Sequence, residues 1–347
     1  MSTLPSVLPE PTHTPLRGGP TLRWGILAPG SIADAWTATL HANTDQRVAA
    51  VGSRNAERAA DFASRHGIPH SYGDYEQLVA DPGVDIVYVS APHTEHARLA
   101  LLAIAAGKHV LVEKPMATSE AEARLIVDAA RAAGVFAMEA MWSRFLPQTT
   151  IIDRLLQDGA LGELHRAEAD FGSVFPYDPT SRAFDPALGG GTLLDIGIYS
   201  LWFTRFALGQ PTRVTARGSL AATGVDEQAT VITEHEGGRA FGIANSTMIA
   251  PTGITAMVAG GIARLEIDSP FCAPGGFRVV ADERLSRDEL RWEDSTMLRW
   301  RDGLCYQATA AAAHVAEGRT EAPGHPLDTT LGILHTIDEA RRQLGAA

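Results

Sequence analysis

Strand-like and helix-like segments alternate from residue 22 to residue 139, with one pair of successive helices at 56–66 and 74–80, and this alternation limits the possible folds more than any other feature of the chain. Short apolar runs, typical of buried strands, are each followed by a longer segment of helical character. The predicted strands are 22–28, 47–52, 85–90, 109–112 and 135–139, and the predicted helices are 31–41, 56–66, 74–80, 93–106 and 119–133. This order predicts right-handed βαβ crossovers, and therefore a doubly wound parallel sheet with helices on both faces.

The second part of the chain follows a different pattern, which begins after Pro147. Strand-like runs succeed one another directly and are separated by Gly-containing turns, as in antiparallel sheets. The predicted strands are 164–171, 212–220, 228–233, 239–246, 254–259 and 263–267, and the predicted helices are 149–158, 193–207, 303–317 and 328–344. We therefore predict two domains: residues 21–147 with the α/β parallel sheet, and residues 148–347 as an α+β domain with an open, mostly antiparallel sheet.

Composition argues against several classes of protein. The formal net charge of −12 repels phosphate backbones, so we expect no nucleic-acid partner. No apolar run approaches the ~20 residues of a membrane span, so we expect no membrane partner. Residues 1–20, rich in Pro, Thr and Gly, lack the apolar core of a signal peptide, which predicts a disordered tail and a cytoplasmic protein. For Cys272 and Cys305 we expect two buried free thiols, with one disulfide as the alternative.

The turn after the first predicted strand has the context of a dinucleotide-binding turn. Residues 25–33, GILAPGSIA, lie between a strand and a helix. Glycine at such a turn lets the backbone approach a pyrophosphate, and the N–H groups of the helix start, here Ser31 and Ile32, face its negative charge. Measured against G-x-G-x-x-G/A, Gly30 fits the second glycine, whereas Ala28 replaces the first. The alternative is an ordinary βα turn.

The end of the second predicted strand indicates which dinucleotide is bound. An acidic residue there would bind the ribose hydroxyls of NAD, but the strand is followed by Ser53 and Arg54, with Arg58 one helical turn later. Arg presents a bidentate fork to phosphate oxygens, so these three residues favour NADP, with its 2′-phosphate, over NAD. The alternative is a pair of solvated surface arginines.

Two further segments carry side chains suited to proton transfer. Glu113-Lys114-Pro115 follows a predicted strand, at the sheet edge that faces the ligand crevice, which directs the lysine toward the nicotinamide. The run GGGTLLDIGIY, residues 189–199, opens into a helix on which Asp195 and Tyr199 project from one face. A phenol exchanges a proton when a nearby cation makes its ionised form accessible. Each of these residues has an alternative interpretation. Glu113 and Lys114 would be a solvated charge pair, Asp195 would interact with the helix dipole, and Tyr199 would be a packing residue.

The loop after the strand 85–90 reaches the same edge of the sheet. We expect Ala91, His93 and His96 to form a crevice wall near the cofactor. The two histidines, with Glu95 between them, also suggest a metal site, but neither a third ligand nor an HExxH pattern accompanies them. We therefore predict no metal.

In combination, these motifs resemble the Gfo/Idh/MocA oxidoreductase family from about Leu22 to Gly345. The stretch MEAMWSRFLP, residues 138–147, is similar to the branch that contains dimeric dihydrodiol dehydrogenase, D-xylose dehydrogenase and glucose–fructose oxidoreductase. The resemblance implies a Rossmann-type cofactor domain and a C-terminal domain for substrate binding and oligomerisation. We also expect a homo-oligomer, a dimer or a tetramer, that assembles through the C-terminal sheet, because a sheet with one open face must cover it.

The resemblance implies a role for each motif residue. Lys114 matches the active-site lysine, Asp195 the acidic residue that orients substrate, and Tyr199 the proton donor–acceptor. The expected substrate contacts are these three with Trp142 and Phe145. The expected cofactor contacts are Ala28, Gly30, Ser31, Ile32, Ser53, Arg54, Arg58, Ala91, His93, His96, Glu113, Lys114, Trp142 and Arg144.

The implied activity is reversible hydride transfer between NAD(P) and a hydroxyl-bearing carbon of a sugar, polyol or cyclic diol. One alternative is a glucose–fructose type oxidoreductase with non-dissociating NADP, and another is a non-catalytic NADP(H)-binding sensor. The pair of Lys114 and Tyr199 distinguishes an enzyme from a sensor, because a pure binder would not need it.

Overall fold

A computed structural model of the protein describes residues 4–347, and its contacts divide the chain into two units. The parallel-sheet unit comprises His13–Phe145 and Arg301–Leu334. The mixed-sheet unit comprises the described residues up to Thr12, Leu146–Trp300 and His335–Ala347. We predicted two domains that follow each other along the chain, 21–147 and 148–347. In the structure, the contacts of residues 301–334 place this segment in the unit of the first sheet instead.

The parallel-sheet unit contains six parallel strands in the order β3-β2-β1-β4-β5-β6. They are β1 (Arg23–Leu27), β2 (Arg47–Gly52), β3 (His70–Tyr72), β4 (Ile86–Val89), β5 (His109–Val112) and β6 (Ala137–Glu139). The doubly wound sheet is thereby confirmed, with β3 as an additional short strand. The strand order reverses between β1 and β4, and open α/β sheets bind ligands outside the carboxyl ends of the strands at such a point.

Five helices connect these strands. They are α1 (Ser31–Asn43), α2 (Ala56–His66), α3 (Tyr75–Ala80), α4 (His96–Ala105) and α5 (Glu120–Ala133). Asn55 caps α2 by accepting the Arg58 N–H, as expected for an N-cap asparagine. A 3₁₀ turn, His93–Glu95, precedes α4, so this α-helix begins three residues later than predicted. Trp36 stacks on Tyr88 at 4.4 Å between ring centroids, which fills the core between α1 and β4.

The mixed-sheet unit contains eight strands in the order β14-β13-β12-β11-β7-β10-β9-β8. They are β7 (Leu164–Gly172), β8 (Arg213–Leu220), β9 (Asp226–Glu234), β10 (Phe241–Thr247), β11 (Ala256–Gly260), β12 (Ala263–Ile267), β13 (Gly276–Ala281) and β14 (Glu289–Glu293). The predicted antiparallel character is confirmed for every pair except β7 with β10, which is parallel. The prediction missed β13 and β14, and placed the start of β11 two residues too early.

The remaining helices are α6 (Pro147–Gln157), α7 (Ile198–Leu208), α8 (Cys305–Ala316) and α9 (Leu327–Leu344). Helix α7 packs on β7 and β10, where it covers one face of the eight-stranded sheet. Helix α8 packs on α1 and on the 3₁₀ turn Trp142–Phe145, which explains why residues near 305 belong with the first sheet. No helix within residues 4–347 combines the length and apolar character needed to cross a bilayer.

The described part of the N-terminal segment has no regular secondary structure. Residues 4–20 contain no helix or strand, and the first three residues of the predicted disordered tail lie outside the described residues. The Thr12 N–H donates to Thr150 Oγ1 at 3.0 Å, and Arg17 forms an exposed ion pair with Asp45. The disorder of residues 1–20 stays a prediction.

Candidate active site

The turn between β1 and α1 is open toward the carboxyl edge of the sheet. Gly30 is the N-cap of α1 and has no side chain to cap it, so the first N–H groups of the helix, which include those of Ser31 and Ile32, receive no side-chain cap. Ala28 has a φ of 65°, in the left-handed region, and its N–H donates to Gly52 O at 3.0 Å. The family's glycine is favoured at this position because a residue with a β-carbon is strained there.

After the carboxyl end of β2, one arginine is exposed and a second one is hydrogen-bonded to the turn. Ser53 is buried, and its Oγ accepts the Asn55 N–H at 3.2 Å. Arg54 is exposed directly after it. Arg58 Nε donates to Pro29 O at 3.1 Å, which ties α2 to the dinucleotide turn. Arg58 therefore has a structural contact that the sequence did not predict.

The loop after β4 is tied to both neighbouring turns. Ser90 Oγ donates to Leu27 O at 3.1 Å. The ring of His96 is fully buried between two carbonyl oxygens, with Nε2 2.8 Å from Ala91 O and Nδ1 2.8 Å from Pro115 O. Burial lowers the pKa of His96, so its neutral ring donates to one of these carbonyls at a time. His93 is also buried, and its ring meets that of His96 edge-on at 5.7 Å.

Glu113 and Lys114 stand at the carboxyl end of β5. The carboxylate of Glu113 is buried and accepts hydrogen bonds from Tyr88 OH and, at 3.2 Å, from Lys114 N–H. Burial raises the pKa of Glu113. Lys114 is half-buried, and it is followed by the cis Lys114–Pro115 peptide bond. The parallel-sheet unit therefore presents the predicted lysine at the edge of the sheet where a nicotinamide would lie.

The 3₁₀ turn after β6 holds the expected aromatic residues of the crevice. Trp142 and Phe145 are 5% and 8% exposed. Arg144 Nε donates to Gly324 O at 2.6 Å, which anchors this turn to the segment between α8 and α9. All the predicted cofactor contacts thus belong to the parallel-sheet unit.

In the mixed-sheet unit, the helix start that carries Asp195 and Tyr199 is not a regular α-helix. Leu193–Gly197 forms one turn of π-helix before α7, whereas an α-helix was predicted from residue 193. Such turns are rare and are found frequently at functional sites. A β-carbon on Gly197 would lie 2.7 Å from Ser246 Oγ, so glycine is required where the helix start approaches β10.

The two side chains of this helix that the sequence singled out, Asp195 and Tyr199, are buried, and each contacts another side chain. Asp195 is 6% exposed and forms an ion pair with Arg182 at 3.1 Å. Tyr199 is 7% exposed, and its ring lies 5.7 Å from that of Phe171. Arg182 was not singled out from the sequence, since a single arginine in an irregular segment gives no local signal.

A buried carboxylate that the sequence did not indicate holds this helix start. Asp226, the first residue of β9, accepts the Leu193 N–H at 2.7 Å. A β-carbon on Gly191, whose φ is 117°, would lie 2.4 Å from Asp226 Oδ1, so only glycine fits beneath it. Burial raises the pKa of Asp226 to about 6. Within residues 4–347, no group of three or more His, Cys, Asp or Glu side chains is arranged to hold a metal ion.

The chain matches both domains of a known family. Residues 22–141 match the GFO/IDH/MocA family described as "Oxidoreductase family, NAD-binding Rossmann fold", and residues 150–266 match the GFO/IDH/MocA C-terminal domain. Trans-1,2-dihydrobenzene-1,2-diol dehydrogenase of Xenopus laevis is 36% identical over 332 residues, which cover 93% of this chain and 98% of the relative.

Two solved structures show the same fold. Aldose-aldose oxidoreductase from Caulobacter crescentus, complexed with glycerol, aligns with a TM-score of 0.82 and 28% identity over 94% of this chain and 98% of that chain. Levoglucosan dehydrogenase in complex with NADH and levoglucosan aligns with a TM-score of 0.84 and 20% identity over 94% of this chain and 97% of that chain. This protein therefore belongs to the Gfo/Idh/MocA family of NAD-binding oxidoreductases.

Proposed function

We propose that the protein is an NADP(H)-preferring dehydrogenase that oxidises a hydroxyl-bearing carbon of a sugar, polyol or cyclic diol, reversibly. The observation that carries this proposal is Lys114, half-buried at the carboxyl end of β5, one strand away from the point between β1 and β4 where the strand order reverses. The likeness to trans-1,2-dihydrobenzene-1,2-diol dehydrogenase over nearly the whole chain supports the substrate class.

The cofactor is proposed to bind along the carboxyl edge of the parallel sheet. Gly30 and the uncapped start of α1 fit a pyrophosphate, because no side chain competes for the helix N–H groups. Exposed Arg54 would pair with a 2′-phosphate, and Arg58 would support the turn through Pro29. When bound, the nicotinamide supplies the hydride acceptor for the oxidation and the hydride donor for the reverse reaction.

The protein's own part in the reaction is proton transfer and orientation. In the oxidation direction, Tyr199 takes the proton from the substrate hydroxyl as the carbon gives up its hydride. Lys114 donates a hydrogen bond to the same oxygen and favours the phenolate form of the tyrosine. Asp195, itself fixed by Arg182 at 3.1 Å, orients the substrate. General acid–base help of this kind is typically worth about 10²–10⁴ in rate.

A second candidate is an oxidoreductase that keeps its cofactor and couples the oxidation of one sugar to the reduction of another. The 28% identity to an aldose-aldose oxidoreductase favours it. The two candidates differ in one simple observable. An enzyme with non-dissociating NADP would purify with nucleotide bound and would not reduce added NADP⁺.

A homo-oligomer is proposed to form through the face of the eight-stranded sheet that α7 does not cover. Ile232 and Phe241 project from β9 and β10 with 38% and 39% of their surface exposed. Light scattering after size exclusion separates a monomer, a dimer and a tetramer. A cytoplasmic location is proposed because Cys272 and Cys305 are buried and form no disulfide, which suits a reducing compartment.

The experiment that tests the proposed function is a panel of sugars, polyols and cyclic diols incubated with NADP⁺ and with NAD⁺. Reduced nicotinamide is followed by its absorbance, and each active substrate is paired with the deoxy analogue that lacks the reacting hydroxyl. We expect turnover with at least one substrate, none with its deoxy analogue, and a higher kcat/KM with NADP⁺. A chain that is isolated without nucleotide, binds NADP⁺ and turns over nothing on the panel would instead be a sensor.

A further inference from the structure

The main chain around Lys114 is held by buried side chains at three successive residues. The Lys114 N–H donates to Glu113 Oε2 at 3.2 Å. Pro115 O lies 2.8 Å from His96 Nδ1. The Met116 N–H donates to Glu139 Oε1 at 2.9 Å. The first two of these side chains come from motifs already considered, but Glu139 does not.

Glu139 is an unusual residue for its place in the fold. It lies at the end of β6 and is 0% exposed, where a parallel strand buried on both faces ordinarily carries apolar residues. Its second oxygen, Oε2, accepts from His325 Nε2 at 3.1 Å and from Thr330 Oγ1 at 3.0 Å. A carboxylate only accepts hydrogen bonds, so the histidine and the threonine both act as donors.

A buried carboxylate needs this degree of pairing to be tolerated, because it has lost its hydration and must regain hydrogen-bond donors from the protein. An apolar residue would fill β6 without such a cost, but it would leave the Met116 N–H without its acceptor. The partners of Glu139 come from 186 and 191 positions further along the chain. The C-terminal segment 301–334 therefore closes a hydrogen-bond chain that runs from His325 through Glu139 to the residue two places after Lys114.

We propose that Glu139, fixed by His325 and Thr330, is a positioning residue that sets the place of Lys114. Glu139 acts through the Met116 main chain and touches neither substrate nor cofactor. The inference rests on the proposed function for its catalytic consequence, since there Lys114 binds the reacting oxygen. Catalysis is sensitive to such placement, because a displacement of about 1 Å costs on the order of 10²-fold in rate.

The chain offers a direct reporter for this proposal, because it contains only two lysines, Lys108 and Lys114. Protein grown on ¹⁵N-lysine therefore shows two backbone amide signals, one of them inside the turn. Lys108 is the internal reference: its ammonium group donates to Asp81 O and Val84 O at 2.8 Å each, away from the turn. A Lys108→Arg variant assigns the two signals.

The main test variant is Glu139→Gln, which keeps the side-chain length and the oxygen that accepts the Met116 N–H. In place of Oε2 it has an amide NH₂ group, which cannot accept the hydrogen bonds that His325 and Thr330 donate in the wild type. We expect the Lys114 amide signal to shift or broaden and the Lys108 signal to stay. We expect kcat to fall by about 10- to 100-fold while the dissociation constant of NADP⁺ changes less than about twofold. Thr330→Val, which removes one donor, should move the same signal less.

The matched control is Gln46→Met, which removes another buried polar side chain of this unit. Gln46 is 2% exposed and accepts from Trp24 Nε1 at 3.0 Å, before the amino end of β2 and so at the other edge of the sheet. This variant should lose thermal stability but leave the Lys114 amide and kcat as in the wild type. In a double variant with Lys114→Met, Glu139→Gln should add less than about a twofold further loss, because both act through one group.

Four outcomes decide the matter. A moved Lys114 amide with reduced kcat supports the proposal. An unmoved Lys114 amide in Glu139→Gln and Thr330→Val overturns it, and so does a moved amide with unchanged kcat. If the wild type turns over no substrate on the panel, the proposed function fails, whereas the amide signals still report whether Glu139 positions the turn. Should Glu139→Gln not fold, Thr330→Val carries the same test.

Discussion

The two turns that carry the proposed catalytic groups are fixed in contrasting ways. At the Lys114 turn, Glu139 has both carboxylate oxygens hydrogen-bonded. At the helix start that leads to Tyr199, Asp226 accepts the Leu193 N–H through Oδ2, while its Oδ1 has no hydrogen-bond partner in the described part of the chain. A buried polar group without a partner costs roughly 1–3 kcal/mol. The first turn is therefore held by a saturated network and the second by a carboxylate that is only half satisfied.

The largest expected effect comes from removing the proton carrier of the second turn. Tyr199→Phe should lower kcat by about 10²–10⁴-fold while NADP⁺ still binds, because the variant lacks the hydroxyl that exchanges the proton. Lys114→Met should lower kcat as well and move the pH optimum upward. The two losses should not multiply, because the residues act as one unit. Steady-state kinetics and a fluorescence titration with NADPH measure both quantities.

The control for this prediction is Tyr177→Phe, in the same unit, which removes a hydroxyl from a tyrosine that is 55% exposed. Its kcat should equal that of the wild type. If Tyr199→Phe keeps a near-normal kcat on a good substrate, the assignment of the proton carrier is wrong.

The half-satisfied carboxylate predicts a pH dependence of stability. Burial raises the pKa of Asp226 from 3.8 to about 6, so the folded protein holds a proton there that the unfolded chain releases. The contribution of this group to stability is therefore present below pH ~4 and is lost as the pH rises through about 6. At about 1.4 kcal/mol per pKa unit, the loss is about 3 kcal/mol.

Asp226→Asn should abolish this loss, because the amide oxygen still accepts the Leu193 N–H without carrying a charge. Relative to the wild type, the variant should gain about 2 kcal/mol in free energy of unfolding between pH 4.5 and pH 7.5, measured in urea. Asp288→Asn, on an exposed carboxylate, is the control and should gain nothing. An equal pH dependence in Asp226→Asn and the wild type would show that the carboxylate is not destabilised.

In the parallel-sheet unit, substitutions of the two arginines after β2 should affect the binding of NADP(H) and NAD(H) differently. Arg54→Ala should weaken NADP(H) by roughly 1.5–3 kcal/mol and NAD(H) little, because only NADP offers a 2′-phosphate for a charged hydrogen bond. Arg58→Ala should weaken both cofactors, because Arg58 supports Pro29 in the shared turn. Calorimetric titration measures all four affinities. Equal loss of both cofactors in Arg54→Ala would contradict the preference for NADP.

The smallest effect concerns the strain in the dinucleotide turn. Ala28 has a φ of 65°, a conformation that costs a residue with a β-carbon roughly 1–2 kcal/mol. Ala28→Gly should raise the free energy of unfolding by about 1 kcal/mol, after allowance for the greater freedom of glycine in the unfolded chain. Ala60→Gly, in the exposed middle of α2, should lower it by about the same amount. A lower free energy of unfolding in Ala28→Gly than in the wild type would contradict the claim that Ala28 is strained.

The two units also differ in how far the sequence determines them. Apolar runs and caps predicted five of the six strands and all five helices of the parallel sheet, because each βα repeat is specified by neighbouring residues; only the three-residue strand β3 was missed. In the mixed sheet, β13 and β14 were missed. Glu289–Glu293 alternates charged and half-buried residues and resembles a polar loop, since an edge strand buries little of its surface. The π turn before α7 has no sequence pattern of its own.

The residues of the candidate site could be proposed from the sequence where a motif follows a strand or opens a helix, but not where their hydrogen-bond partners come from far along the chain. Lys114 and Tyr199 follow from their motifs. Glu139 carries a weak signal, since a carboxylate within an apolar strand needs a partner. Its partner His325 lies 186 positions away, and no local pattern connects the two.

The measurement that tests the central claim most directly is the fate of the hydrogen on the carbinol carbon. A substrate found on the panel is prepared with deuterium at that carbon and oxidised with NADP⁺, and the reduced cofactor is analysed by mass spectrometry and NMR. Hydride transfer predicts deuterium at C4 of the nicotinamide, on a single face, with a slower reaction than for the unlabelled substrate. Reduced cofactor without deuterium would contradict direct transfer and, with it, the proposed function.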